Sequence, residues 1–187
     1  MRKVIFPLLA MLAAPMIGCT TTSPNSPAQR TAMEDEAKAA LERMEAQDPG
    51  IRDLLSRAYA YVIFPEVGEA AIGIGGAHGR GYAYQNGQLI GTVTMTQGSV
   101  GVQLGGQTYA ELIIFQSPQA FDQLKKDVFA FGANASATLV KAGAAAATPF
   151  NNGVAVFVLP KGGLMAGVAI TGQKFNFTPV NENQQNQ

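Results

Sequence analysis

The sequence predicts an α+β domain in which a curved, largely antiparallel, glycine-rich β-sheet or barrel-like core carries N-terminal helices and one central helix packed on it. Three observations lead there. Between Ala58 and Gly106 short apolar runs alternate with glycine, as in Ala70, Ile72 and Ile74 against Ala71, Gly73 and Gly75, or Val100, Val102 and Leu104 against Gly101, Gln103 and Gly105. A period of two belongs to extended backbone, with one face branched and the other nearly bare. The pattern returns near the end, where Leu164, Ala166, Val168 and Ile170 oppose Met165, Gly167, Ala169 and Thr171. Helical spacing, by contrast, is found in the stretch before this region and in one segment between it and the later repeat. Glycine weakens a strand, so its repeated use implies close approach of another backbone, a tight bend, or a ligand on the surface.

The 187 residues, 47% hydrophobic and 14% charged, suffice for one core and are too few for two. Residues 1–18 read as a secretory signal, with Arg2 and Lys3 ahead of the apolar run Val4 to Ala14, which is too short to span a bilayer. Met16-Ile17-Gly18-Cys19 resembles the lipobox of bacterial lipoproteins. That likeness implies cleavage before Cys19 and acylation of its thiol and amine with fatty chains, palmitate among them, with Thr20 directing the product to the outer membrane, facing the periplasm or the surface. More than one chain makes such anchoring stable. An ordinary cleaved signal is the plainer alternative. Residues 19–30, rich in Ser, Thr and Pro, are expected to be a lipidated, extended tether, followed by one domain over 31–178 and a disordered tail over 179–187.

From Thr31, Met33, Ala37, Leu41 and Met44, with Ala40 beside them, predict an amphipathic helix that covers the sheet or lies on a membrane interface. Asp48-Pro49 predicts the start of a second helix through Ile51, Leu54, Leu55 and Ala58. Strands are expected at Tyr59–Phe64, Glu69–Gly75, Gly79–Gln85, Gln88–Thr96, Val100–Leu104 and Tyr109–Phe115. Asn86-Gly87 should form a type I′ hairpin turn, and His78, between Gly76 and Gly79, a further turn. Ser117-Pro118 caps a central helix with Ala120, Phe121, Leu124 and Val128 on one face and Gly132 as its stop. Gly153–Leu159, apolar on both faces, should be a buried strand, and Leu164–Thr171 and Lys174–Thr178 complete the sheet.

Tyr61-Val62-Ile63-Phe64-Pro65, Gly73-Ile74-Gly75-Gly76 continuing through Gly79-Arg80-Gly81, Ser99-Val100-Gly101-Val102-Gln103-Leu104-Gly105 and Lys161-Gly162-Gly163-Leu164-Met165-Ala166-Gly167-Val168 resemble, in order and spacing, the successive blocks of the SYLF domain family. The likeness runs from about Asp53 to Phe177. It implies phospholipid binding, with phosphoinositide and actin binding in eukaryotic members and an envelope location in bacterial ones. Two departures argue against actin binding here. Gly91-Thr92-Val93-Thr94 stands where the eukaryotic pattern has Trp-Ser-x-Pro, and Asn134 stands where many relatives carry aspartate. Residues 135–147 suit either helix or strand, and the resemblance favours strand.

Other chemistry is poorly supplied. Without Arg2 and Lys3 the chain has 11 basic against 13 acidic residues, which argues against a nucleic-acid partner. One cysteine and one histidine provide no disulfide and no metal cluster. Gly73-Ile74-Gly75-Gly76-Ala77-His78 lacks the third glycine of a dinucleotide fingerprint, no phosphate loop or Gly-x-Ser-x-Gly elbow occurs, and Glu66 and Glu69 read as solvated turn residues. No catalytic residue, metal or cofactor is therefore expected. Anionic headgroups need only cations and amide donors beside apolar surface. The candidates are Arg80, Lys161, Lys125, Lys126, Lys141 and Lys174, of which Arg80 and Lys161 stand beside glycines. The expected function is a non-enzymatic phospholipid-binding envelope lipoprotein. The alternative is a structural or protein-interaction module whose membrane link is its anchor alone.

Overall fold

The computed structural model describes residues 27–126, 137–163, 170 and 172–180. The signal segment, Cys19, Asn134, the end expected for the central helix, most of the Leu164–Thr171 strand and most of the tail lie outside the described residues. Helix α1 covers Pro27–Gln47 and α2 covers Gly50–Arg57. Helix α1 thus starts four residues inside the stretch read as tether. Two long strands follow, β1 over Ala60–Gln85 and β2 over Gln88–Phe115. They are joined by Asn86 and Gly87, both at positive φ (51° and 75°), as a type I′ turn requires. Helix α3 (Pro118–Lys125), β3 (Thr138–Leu139), α4 (Ala144–Ala147), β4 (Val154–Gly163) and β5 (Gln173–Pro179) complete the chain.

The sheet runs β1-β2-β4-β3, and β5 also pairs with β2. All pairings are antiparallel except the short β3–β4 bridge. The predicted α+β class holds, and the sheet is open rather than a closed barrel. Six strands expected between Tyr59 and Phe115 are in fact two. The expected break at Pro65 is a bulge between Phe64 and Val67, where a residue without an N–H interrupts the ladder without ending the strand. No turn forms at His78 either. It pairs with Thr96 inside β1, because the glycines around it serve close packing instead. Among the described residues 137–147 the expected strand covers Thr138–Leu139, and the alanine run forms α4.

The β1–β2 hairpin folds back on itself. A straight strand would put Phe64 and Gly81 roughly 55 Å apart. Instead a methyl built on Gly81 would stand 2.7 Å from the Phe64 ring, and one on Gly79 would stand 2.8 Å from Val67 Cγ2. Phe64 also packs 6.0 Å from Phe175 of β5, which pairs with the far half of β2. The bend therefore falls between these halves, in the stretch that holds Gly73, Gly75, Gly76, Gly98, Gly101, Gly105 and Gly106. Counted by halves, the two bent strands and the three others make seven strand segments.

The main core fills this fold, with Val62, Phe64, Val67, Val93, Met95, Tyr109, Ile113, Phe115 and Phe175 joined by Phe121 and Leu124 of α3. Ser117 caps α3 as predicted, its hydroxyl accepting from the Ala120 amide at 3.3 Å. A second core lies on the outer face, where Met33, Ala37, Ala40 and Met44 of α1 meet Ile63, Leu112, Ile114 and Phe157. The α1 stripe is thus used on the sheet, with Ala40 rather than Leu41 fully buried. Asp48 is buried beneath α2, where it accepts from the amides of Gly50 (3.1 Å) and Ala145 (2.6 Å), tying α2 to α4.

Candidate functional site

In the far half of the folded hairpin, β1, β2 and β5 lie side by side, and their register decides which side chains meet. His78 pairs with Thr96, which pairs with Lys174; Arg80 pairs with Thr94, which pairs with Asn176. Along each strand these residues alternate with buried ones: Ala77 and Gly79, Val93 and Met95, Gln173 and Phe175. They therefore share the outward face, where His78, Arg80, Thr96, Lys174 and Asn176 are exposed. With neighbouring strands about 4.8 Å apart, His78 and Lys174 stand roughly 10 Å from each other. Residues 76–82, 92–98 and 172–178 contain no aspartate or glutamate. Neither Arg80 nor Lys174 takes part in an ion pair among the described residues. Glu36 of α1 borders the patch at Tyr82, whose hydroxyl is held protonated chiefly by burial and also by that carboxylate. Fixed cations flanked by hydroxyl groups can accept a phosphate or carboxylate.

The remaining candidates are arranged differently. Lys161 sits at a bulge of β4, between the Tyr109–Pro160 and Thr108–Gly162 pairs, and reaches across β2 to Glu66 at the bulge of β1, 2.5 Å away. The hydrogen bond and charge of Lys161 hold the Glu66 carboxyl below its usual range. Lys125 pairs with Asp122 at 2.8 Å and lies 5.4 Å from the centre of the Phe121 ring. Asp122 is likewise held low by its hydrogen bond from Lys125. Lys126, after α3, and Lys141, before α4, are exposed. Of the six cations, register groups Arg80 with Lys174. His78, Thr94 and Thr96, which sequence reasoning left aside, join them. The signal was available in Thr92-Val93-Thr94-Met95-Thr96 and His78-Gly79-Arg80, where every second residue is polar.

A second feature lies at the bend. Gly68, Gly76, Gly106 and Gly162, with Glu69, Ala70, Ala77, His78, Gln107 and Thr108, line a shallow depression of about 640 Å³. Glu69, expected in a solvated turn, is buried and accepts from Gln107 Nε2 at 2.8 Å. Deeper in the core stands Glu111, fully buried, which accepts from Gln173 Nε2 at 3.0 Å and whose carboxyl burial pushes up to about 7. The signal for it was a lone carboxylate in the apolar run Tyr109-Ala110-Glu111-Leu112-Ile113.

Together these features define an α+β domain with a helix-plugged, folded hairpin and a cationic outer face. Residues 96–185 match the family model described as Ysc84, Las17-binding protein actin regulator, a match consistent with a SYLF domain. The match begins in β2, so the Tyr61–Pro65 and Gly73–Gly81 blocks lie ahead of the matched residues. No curated protein matches the chain.

Proposed function

We propose that this chain is a non-enzymatic envelope lipoprotein that binds anionic phospholipid, held at the outer membrane by an acylated Cys19. The observation that carries the reading is the exposed group of Arg80, Lys174 and His78 among Thr94 and Thr96, on strand segments without a carboxylate. A lipid phosphate has the charge and acceptor oxygens to meet such donors, and a bilayer presents many at once. The match of residues 96–185 to the SYLF family model agrees with this reading, and the lipobox-like Met16–Cys19 would supply the anchor. With the membrane already at hand, weak headgroup contacts suffice, because tethering raises their effective concentration.

The test is cosedimentation of the leader-free, unacylated chain with vesicles of phosphatidylcholine alone or with phosphatidylglycerol. Binding should require phosphatidylglycerol and weaken with salt. The double variant Arg80→Glu/Lys174→Glu should lose at least tenfold in affinity, while Lys125→Glu, whose cation already faces Asp122, should lose little. Equal binding to both vesicle types at low salt would overturn the proposal. A stoichiometric envelope protein recovered with the chain, with vesicles left unbound, would favour the protein-interaction alternative.

A further inference from the structure

Where the tip of the hairpin meets the two N-terminal helices, a groove stays open to solvent. One cavity of about 470 Å³ is bounded by Glu45, Arg52, Ser56 and Asn86, and a second of about 300 Å³ by Glu34, Lys38, Tyr84 and Leu89. Leu41, Tyr61 and Gly87 border both, so the two are adjoining lobes of one groove. Each lobe falls in or near the size range of sites for small molecules. The apolar floor is only partly buried, with Leu41, Leu55, Tyr61, Tyr84 and Leu89 packed against the outer core and still reaching solvent. Tyr61 and Tyr84 come from opposite ends of β1 and stack with ring centres 5.0 Å apart and planes 13° from parallel. On the rim, Arg52 donates to Glu45 Oε2 from Nε at 3.0 Å and from Nη2 at 2.7 Å, and Lys38 faces Glu42 at 3.9 Å. The double contact uses two of the five guanidinium N–H groups and fixes the others at the mouth of the groove.

We propose that this groove binds a neutral oligosaccharide, with sugar rings against Tyr61 and Tyr84 and sugar hydroxyls bonded to Arg52, Glu45 and Asn86. A pyranose has an apolar C–H face, which packs on the electron-rich face of an aromatic ring, and an edge of hydroxyls that both donate and accept. Such an edge needs donors and acceptors side by side, which Arg52 next to Glu45 and the Asn86 amide supply. Because Arg52 and Glu45 neutralise each other, the mouth of the groove offers little to a charged ligand. The floor consists of side chains from two helices and a hairpin, so an extended peptide gains no row of backbone partners there. Two adjoining lobes give room for more than one sugar. No residue lining the groove belongs to the cationic outer face, so this site stands or falls separately from phospholipid binding there.

The whole chain is titrated with maltotriose, cellotriose or the trimer of N-acetylglucosamine. Binding is followed by calorimetry and by tyrosine emission, which is readable because the chain has five tyrosines and no tryptophan. At least one of the three should bind saturably. Tyr84→Leu, which keeps apolar bulk and removes the ring, should weaken that binding at least tenfold, whereas Tyr84→Phe should keep most of it. Arg52→Ala should also weaken it at least tenfold, and Arg80→Glu/Lys174→Glu should leave it unchanged. No saturable binding up to about 10 mM, which is weaker than a millimolar site, would overturn the proposal. So would binding unchanged by both Tyr84→Leu and Arg52→Ala. Should Tyr84→Leu fail to fold, Arg52→Ala decides alone, since that side chain is 75% exposed. Protection of Tyr61 and Tyr84 from nitration by a copurifying peptide, with all three sugars silent, would assign the groove to a protein partner and overturn the proposal as well.

Discussion

Two groups of glycines look alike in the sequence and differ in the structure. At Gly79, Gly81 and Gly91 a side chain has no room. An added methyl would meet Val67 at 2.8 Å, the Phe64 ring at 2.7 Å, and, at Gly91, Phe177 together with the Thr178 carbonyl. At Gly68 and Gly98 nothing lies within 4 Å, and at Gly162 the nearest atom is Thr108 Oγ1 at 4.0 Å. Gly79 and Gly81 let the two halves of the hairpin close on each other, and Gly91 lets β5 lie close against β2. The second leaves bare surface around the bend. A glycine-rich strand is therefore two statements in one notation, and only the partner across the fold tells them apart.

The largest expected effect breaks the first group. Gly91→Val places branched carbon where Phe177 and a backbone carbonyl already stand, and the carbonyl cannot move aside without losing the β2–β5 pairing. Destabilisation above about 4 kcal/mol is expected in urea unfolding, which puts it among the severe core substitutions. A loss below about 1 kcal/mol would show that β5 is not closely packed against β2 there.

Next comes the charge enclosed by the same closure. Glu111 has a folded-state pKa of about 7, above the ordinary carboxylate value of about 4.3. The unfolded chain therefore releases this proton first, and the stability that the neutral group contributes is present at low pH and lost as pH rises from about 4.3 through 7. The loss is on the order of 3 kcal/mol. Melting temperature should fall across that window and then level off, and Glu111→Gln should flatten the profile. An unchanged profile in the variant would place the titration elsewhere.

The smallest effect probes the second group. Gly98 is not at positive φ and faces open space, so Gly98→Ala should be neutral or stabilise by up to about 0.5 kcal/mol through reduced freedom of the unfolded chain. A marked loss of stability would erase the distinction between the groups.

Much of the local structure was legible. Asn86-Gly87 specified its turn, Ser117-Pro118 its cap, and Val154–Val158 its burial, because each depends on neighbours within a few residues or on uniform hydrophobicity. Breaks at Pro65 and His78 were misread because a bulge and a turn use the same residues, and only the partner strand shows that pairing continues. The cationic face was half legible. Arg80 was visible as a candidate and Lys174 as another, yet their grouping depends on β5 reaching β2 from some eighty residues away. Glu111 was not found at all, since its burial against Gln173 depends on β5 joining the folded hairpin.

Because β5 is the last described strand, the order of synthesis matters. Phe175 and Phe177 supply the rings that meet Phe64 and Phe121, and Gln173 supplies the donor for Glu111. A chain emerging from the ribosome has made its entire hairpin and its central helix before any of these exist. It can zip Asn86-Gly87 outward early, but it cannot seal its interior until Gln173–Pro179 is available. Completion waits for β5, so the hairpin stays incompletely packed until that strand has been made.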